Sequence, residues 1–325
     1  QTCALPIYNE DAFKYACANG HFEVAQWLFT IKPTIDISAD NESAFIYACC
    51  KGHLKVAQWL FTIKPTIDIS ADNESAFIYA CEKGHLEVAQ WFLTIKPTIN
   101  ISADNEYAFR YACANGHFEV AQWLLTIKPT IDISANDEFA FRLACNNGNL
   151  EVAQWLLTIK PTIDISTDDE SAFRWACESG HLEVAQWLYS LRENPTIDIS
   201  VDDDYAFKNA CENGHLEVAQ WLYTINPEID ISNDYEYAFR WACYNCHIEV
   251  AQWLLTIKPT INISVDNYSC FRYACEHSYL EVAEWLKSLY PDKCELVVEN
   301  NKIISYCVKR ELPYNADTVT IQLKE

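Results

Sequence analysis

The sequence predicts an all-α solenoid of nine helix-turn-helix units, followed by a small C-terminal β cap. Three observations lead to this fold class. Nine Trp residues repeat every 32 residues, and the step lengthens to 34 only between Trp187 and Trp221. All seven Gly of the 325-residue chain fall in one frame, from Gly20 to Gly214. The period stops after Pro291, where β-branched residues become frequent. Self-similarity at a period of about 20–50 residues is typical of a solenoid or array.

The third copy shows how each unit begins. Its residues 72–74, Asp-Asn-Glu, can cap a helix and place an acid at its positive end. Phe77, Ala80 and Cys81 then fall on one helix face at i, i+3 and i+4. Gly84 can adopt the positive φ that ends a helix. The pattern predicts a first helix with one buried face.

A second helix is predicted to begin near Leu86. Leu86, Ala89 and Leu93 share one stripe, and Val88 and Phe92 lie beside it. The Lys-Pro-Thr segment then ends the helix, because Pro restricts the residue before it. An Ile-Asn-Ile alternation follows and predicts a short extended arm that leads to the next unit.

A single helix pair cannot bury its apolar stripes, so the units are expected to stack on their neighbours. Length alone would suggest two domains. The repeat replaces that expectation with one array at residues 1–290 and a β-hairpin cap at 291–325.

The cap is predicted from two β-rich runs, Cys294–Val298 and Lys302–Val308. Asn300 and Asn301 between them suit a hairpin turn. Residues 318–321 could add a third strand.

The repeated motif resembles the ankyrin repeat. The resemblance is carried by S-A-F-I-Y-A-C at 75–81 and G-H-L-E-V-A-Q-W at 84–91, and it covers roughly residues 8–290. Ala76 stands where the family usually has Pro, and Ile78 or Arg110 stands where its signature His would be. The near-identical A-Q-W-L copies resemble the ankyrin arrays that large DNA viruses of amoebae encode. The resemblance implies a protein that binds other proteins and is not an enzyme.

Charge narrows the class of partner. The chain carries 46 Asp and Glu against 23 Lys and Arg, for a net charge of −23. Nucleic acids and anionic membranes attract clustered cations, so neither is an expected partner. The eight segments that precede the first helices of units two to nine hold 23 of the 46 acids.

These acidic segments are the first candidate site for a protein partner, a basic one. Its residues are Asp168, Asp169, Glu170, Asp202, Asp203 and Asp204. An electrostatic face of this kind would speed the encounter with a cationic protein. The alternative is that the acids only cap helices and keep the protein soluble.

A second set of candidates lies at the ends of the first helices. In a solenoid, positions that vary while the frame stays fixed are candidates for a contact surface. The alternatives are unconstrained surface and, for the aromatic residues, core packing. The candidates from these variable positions are Glu178, Ser179, Glu212, Asn213 and Tyr244. Trp175 and Trp241 are candidates from an aromatic stripe on the same helices, which could form a half-exposed wall with interface anchors.

A basic position follows the core Phe of each unit, with Ile46 and Ile78 as exceptions. We expect its side chains to pair with the acidic loops of neighbouring units, and to fix register more than stability.

Cys and His also follow the period. Nine Cys share one position on the buried face, where Cys acts as a small hydrophobe, and their odd total of 15 favours a reducing compartment. The His that follows each turn is expected to form hydrogen bonds, because a zinc site needs about four converging ligands. We predict neither a metal nor a cofactor.

The leading hypothesis is a non-enzymatic, cytoplasmic scaffold that binds a protein partner through its concave face and acidic arms. No common catalytic motif appears in the sequence. The alternative is a structural subunit that associates with itself into a filament or particle layer.

Overall fold

The computed structural model describes residues 9–191, 197–309 and 319–322. Within them it contains eighteen helices in helix-turn-helix pairs and a small C-terminal sheet, so the predicted fold class is confirmed. Of these helices, none combines the length and apolar character needed to cross a bilayer. The chain divides into two compact units, Gln1–Asp168 and Asp169–Glu325.

The first unit consists of repeats one to five, and its successive first helices pack against one another. The first helices are α1 (Asn9–Ala18), α3 (Ala39–Cys50), α5 (Ala71–Glu82), α7 (Ala103–Ala114) and α9 (Ala135–Asn146). The second helices are α2 (Phe22–Ile31), α4 (Leu54–Ile63), α6 (Leu86–Ile95), α8 (Phe118–Ile127) and α10 (Leu150–Ile159).

The second unit consists of repeats six to nine and the sheet. Its first helices are α11 (Thr167–Glu178), which starts at the end of the first unit, α13 (Val201–Glu212), α15 (Asn233–Tyr244) and α17 (Val265–Glu276). Its second helices are α12 (Leu182–Ser190), α14 (Leu216–Ile225), α16 (Ile248–Ile257) and α18 (Leu280–Leu289).

The sheet is antiparallel, with β1 (Cys294–Glu299), β2 (Lys302–Val308) and β3 (Val319–Gln322) in that order. Asn300 and Asn301 connect β1 to β2 with φ of 51° and 59°, as a tight hairpin turn requires. The predicted hairpin is confirmed, and β3 matches the third predicted run except for Thr318, which lies outside the described residues. The sheet packs on the last helix pair, where the Phe271 and Tyr306 rings are 6.1 Å apart.

The buried face of the first helix is the predicted one, and Phe77, Ala80 and Cys81 are fully buried. The predicted stripe of the second helix is only partly correct. Val88, Ala89 and Phe92 are buried, whereas Leu86 and Leu93 are half-buried. Helix α6 therefore turns its i, i+1 and i+4 positions toward α5, on which it packs.

Neighbouring repeats are joined by aromatic contacts. Within the first unit, the Phe of a first helix packs against the Trp of the following repeat, as in Phe45–Trp91 at 6.2 Å and Phe77–Trp123 at 6.5 Å between ring centroids. The second unit repeats the contact, for example between Phe239 and Trp285 at 6.2 Å. Within each compact unit, the repeated Trp is thus an interface residue between neighbouring repeats.

The segment between repeats is not the extended arm that the sequence predicts. It forms consecutive turns, and the Asp or Asn before each Ile-Ser folds back on the chain. The Ser70 N–H donates to Asp68 Oδ1 at 3.0 Å, and the Ser200 N–H donates to Asp198 Oδ1 at the same distance. Asx turns of this kind mimic a backbone turn and compete with extended structure.

Candidate functional site

Each acidic loop contains three successive residues with positive φ, which we call the left-handed turn. In the second repeat these are Asp40, Asn41 and Glu42, with φ of 52°, 56° and 63°. Asp and Asn tolerate this conformation better than other side chains except Gly, which accounts for their presence here. The eight left-handed turns are residues 40–42, 72–74, 104–106, 136–138, 168–170, 202–204, 234–236 and 266–268.

The predicted helix cap at Asp72 or Asn73 is wrong. Both residues lie inside the left-handed turn, with φ of 53° and 55°, and no side chain caps the start of α5 by a hydrogen bond. The turn redirects the chain into the first helix in place of a side-chain cap.

The third residue of the turn points into the protein. Glu42, Glu74, Glu106, Glu138, Glu170 and Glu236 are all buried. The Asp68 N–H donates to Glu42 Oε1 at 3.3 Å, and the Asn262 N–H donates to Glu236 Oε1 at 3.1 Å. Four of the six carboxylates therefore tie their own loop directly to the loop of the next repeat, namely those of Glu42, Glu74, Glu170 and Glu236. Glu106 and Glu138 accept a hydrogen bond from the Ser hydroxyl of their own loop.

The Lys of the Lys-Pro-Thr segment supports this link in the first unit. Lys96 Nζ lies 3.3 Å from Glu74 Oε1, and Lys128 Nζ donates to the Ser102 hydroxyl. That hydroxyl in turn donates to Glu106 Oε2 at 2.5 Å. A buried carboxylate is tolerated when it is paired and hydrogen-bonded in this way.

The first two residues of each turn face solvent, with few exceptions. Asp169 and Asp203 are exposed, and the Asp168 and Asp202 side chains are 57% and 64% exposed. Four of the six predicted loop acids are therefore accessible to solvent, Asp168 in the first unit and the other three in the second.

The other two predicted loop acids do not reach this surface. Glu170 is buried, and its Oε1 accepts a hydrogen bond from the Asp198 N–H at 3.4 Å. Asp204 occupies the same position in its turn and is half-buried, and this burial raises its carboxyl pKa. Glu170 thus belongs to the contacts between loops, whereas Asp204 forms a hydrogen bond with Ser200 of its own loop.

The predicted pairing between basic side chains and acidic loops is confirmed at several repeats. Arg142 Nη1 donates to Asp168 Oδ2 at 2.7 Å, and its Nε donates to the Asp137 carbonyl oxygen at 2.8 Å. Arg174 lies 3.4 Å from Asp202 Oδ2 and also donates to the Asp169 carbonyl oxygen. The guanidinium thus binds the backbone of its own left-handed turn and the acid of the next.

The predicted residues at the helix ends make contacts between repeats. Glu178 accepts a hydrogen bond from the Tyr205 hydroxyl at 2.9 Å, and burial together with this carboxylate raises the pKa of Tyr205 to about 12. Glu212 accepts from the Tyr237 hydroxyl at 2.6 Å. Asn213 is exposed, and its amide donates to the Glu178 carbonyl oxygen at 3.2 Å.

Two further predicted residues, Ser179 and Trp175, lie beside them in the second unit. Ser179 is half-buried, and its N–H donates to the Trp175 carbonyl oxygen at 2.9 Å. Trp175 is half-buried as well, so the aromatic position that it occupies is not core.

Trp241 and Tyr244 come together in a half-exposed aromatic cluster. Their ring centroids are 5.6 Å apart, and Tyr237 lies 5.7 Å from Trp241 on the other side. The ring centroids of Tyr244 and Tyr273 are 4.5 Å apart, so Tyr273 extends the cluster. Large aromatic side chains with one open face are frequent anchors in protein interfaces.

Tyr235 is a surface residue that the sequence analysis missed. It is 76% exposed and lies in a left-handed turn with φ of 55°. A bulky residue is an outlier in this conformation, and such strain is often kept at functional positions. The signal was available in the sequence, because the other seven turns carry Asp or Asn at this place.

The His that follows the Gly of the helix-turn-helix packs on the Gly of the preceding repeat at five positions, namely His53, His85, His117, His215 and His247. A Cβ atom at Gly52 would lie 2.5 Å from His85 Nδ1, so only Gly leaves room for the imidazole. In the fifth repeat Asn149 replaces His and donates to the Ala114 carbonyl oxygen at 2.7 Å. The pKa values of His85 and His117 are lowered, chiefly by burial. The predicted hydrogen-bonding role is confirmed at this position.

The nine Cys of the repeat are buried free thiols, as expected for small core residues. Burial raises the pKa of the Cys17 thiol to about 12. Across the part of the chain that the structure describes, no group of three or more His, Cys, Asp or Glu could hold a metal ion.

Two comparisons bear on identity. The sequence model of one protein family, ankyrin repeats (3 copies), matches the chain at residues 5–73, 64–137, 109–203 and 207–299. No curated protein matches the chain.

Proposed function

Because the chain belongs to the ankyrin-repeat family, whose repeats generally mediate protein–protein interaction, we propose that it is a non-enzymatic scaffold for a protein partner. The partner is basic and binds the exposed residues of the left-handed turns together with the neighbouring half-exposed aromatic side chains.

One observation carries this proposal. Six of the eight left-handed turns hold a pair of exposed Asp or Asn side chains, and in five of these six the third residue is a buried Glu. The exposed groups therefore sit on a backbone that is fixed before binding, which reduces the entropy lost on association. With a net charge of −23, the field of the protein also favours a cationic partner.

In the second unit, acidic and aromatic groups supply different parts of the interaction. Asp169, Asp202 and Asp203 provide charge, which governs association rate and specificity. Tyr235 and Trp241 provide apolar area, which holds the complex together once formed.

A zero-length carbodiimide cross-linker tests where the partner binds. It joins carboxylates to lysine amines, so a bound basic protein should be linked to Asp169, Asp202 and Asp203. The second helices offer a matched control, because Glu183, Glu217 and Glu249 are equally exposed and recur once per repeat. Links confined to these Glu residues would contradict the proposal.

We place this activity in a reducing cytoplasm. The buried free thiols support that choice, since disulfides are rare where thiols are kept reduced. The likeness to viral arrays points to the cytoplasm of an infected host.

A further inference from the structure

We propose that a pocket beside Ile46 in the first unit receives the side chain of an arginine from a protein partner. This inference rests on the proposed function and specifies the chemistry of the partner at one place.

The pocket lies between repeats two and three and has a volume of about 440 Å³. It is lined by carboxylates, an amide, two aromatic rings, an aliphatic side chain and a lysine. The lining residues that carry the argument are Asp40, Asn41, Ile46, Tyr47, Asp72 and Tyr79.

The protein itself shows which side chain fits this space. Ile46 occupies the repeat position that Arg142 occupies in the fifth repeat, where the guanidinium donates to the Asp137 carbonyl oxygen and to Asp168 Oδ2. The corresponding residues around Ile46 are Asn41 and Asp72, and both line the pocket. An Ile therefore leaves open the volume that an internal arginine fills elsewhere.

The charge of the pocket is unmatched at Asp72. Across the described residues, no Lys, Arg or His side chain pairs with this carboxylate, which accepts a hydrogen bond from the Ser75 hydroxyl at 3.0 Å. The other charged groups are already paired, Asp40 with Lys14 and Lys83 with Glu82 at 2.7 Å. A cation that enters the pocket would thus meet the Asp72 carboxylate, which has no cationic partner among the described residues.

The aromatic walls favour a guanidinium over an ammonium group. Tyr47 is 53% exposed and Tyr79 is half-buried, so both present ring surface to the pocket. In the fourth repeat the guanidinium of Arg110 lies 5.9 Å from the ring centroid of Tyr111, which holds the position of Tyr47. A planar guanidinium can stack on a ring and still donate at its edge, which an ammonium cannot.

The test uses N-acetyl-arginine amide as the probe and the citrulline analogue, which has the same length without the charge, as its control. Backbone amide shifts of the full chain are followed by NMR during titration. We expect saturable shifts at residues 46–47, 72 and 79 with the arginine probe and at least tenfold weaker binding of citrulline. Equal responses to the two probes would overturn the inference.

Three variants sharpen the result. Ile46→Arg should fill the pocket from within, abolish probe binding and raise the melting temperature. Ile46→Leu keeps the pocket open and should bind as the wild type does. Asp72→Asn suits the left-handed turn, because Asn is common there, and should weaken the probe at least tenfold. If the Ile46→Arg variant binds the probe as tightly as the wild type does, the probe does not bind in the pocket beside Ile46 and the inference is wrong.

The probe needs no partner, so the two proposals fail separately. A captured partner without an arginine-selective response would overturn the pocket inference alone. An arginine-selective response without any partner linked to the loops would overturn the proposed function.

Discussion

At the scale of single residues, backbone handedness determines which side chains meet solvent. Two short polar residues tolerate the left-handed conformation and stay exposed, and the Glu that follows turns inward. Composition alone could not separate these roles, because all three positions are acidic or amide in every turn except those that contain Tyr235 and Tyr268. The sequence therefore predicted the loop acids as one set, and the structure divides Asp169 and Asp203 from Glu170 and Asp204.

We predict that Gly84→Ala destabilises the protein by about 1–3 kcal/mol. The backbone φ is +80°, and the new Cβ would lie 2.5 Å from His117 Nδ1. Chemical denaturation measures the change. Ser278→Gly is the matched control, since Ser278 holds the same turn position with φ of 61° and should gain stability. A neutral Gly84→Ala would contradict the packing described.

The buried Glu gives a second prediction. Glu106→Ala should lower the free energy of unfolding by about 1–3 kcal/mol, because it leaves the Ser102 hydroxyl without its acceptor. Asp104→Asn in the same turn should change it by less than about 0.5 kcal/mol, since Asp104 is exposed and Asn suits positive φ. Equal effects of the two changes would show that the Glu does not anchor the loop.

At the scale of elements, the helices were predictable and the loops were not. Because the 32-residue period is repeated nine times, the buried face of the first helix could be predicted from the sequence, as Phe77 and Cys81 illustrate. The left-handed turn has no such signature, because Asp-Asn-Glu is also a good helix start. The prediction of an extended arm was wrong for a related reason. Ile-Asp-Ile alternates like a strand, but the Asp side chain accepts a hydrogen bond from the Ser N–H two residues later and forms a turn.

The His position predicts how stability depends on pH. Burial is the first cause of the lowered pKa of His53, His85 and His117, so the unfolded chain takes up protons first as pH falls below about 6.5. Stability should be fully present above that pH and fall toward pH 5.

The array supplies its own control for this effect, because Asn149 already replaces His in one repeat. A variant carrying His85→Asn and His117→Asn should lose less stability between pH 7 and 5.5 in urea titrations. If the free energy of unfolding depends on pH as in the wild type, burial of these imidazoles between repeats is not the cause of the pH dependence.

At the scale of the whole molecule, the net charge of −23 is organised by the repeat. Some of the acidic side chains are buried Glu residues that bind the loops, and others are Asp residues that are exposed to solvent. Sequence periodicity located the acids but could not show that Ile46, an exception to the basic position, opens a pocket. That consequence depends on which groups surround a guanidinium in the other repeats, and only the packed structure shows them.

Self-association remains the alternative to partner binding. The proposed scaffold should be a monomer of about 37.3 kDa by light scattering at every concentration tested. A mass that grows with concentration would favour the filament or layer, because contacts that do not close on themselves continue to add subunits.

The central claim is tested most directly by measuring how tightly two variants bind the partner that cross-linking has identified. One variant neutralises the loops with Asp169→Asn, Asp202→Asn and Asp203→Asn. The other removes the same charge from the second helices with Glu183→Gln, Glu217→Gln and Glu249→Gln. We predict that the loop variant binds about tenfold more weakly, with a smaller dependence on salt, and that the helix variant binds as the wild type does. Equal affinity of the loop variant and the wild type would contradict the account.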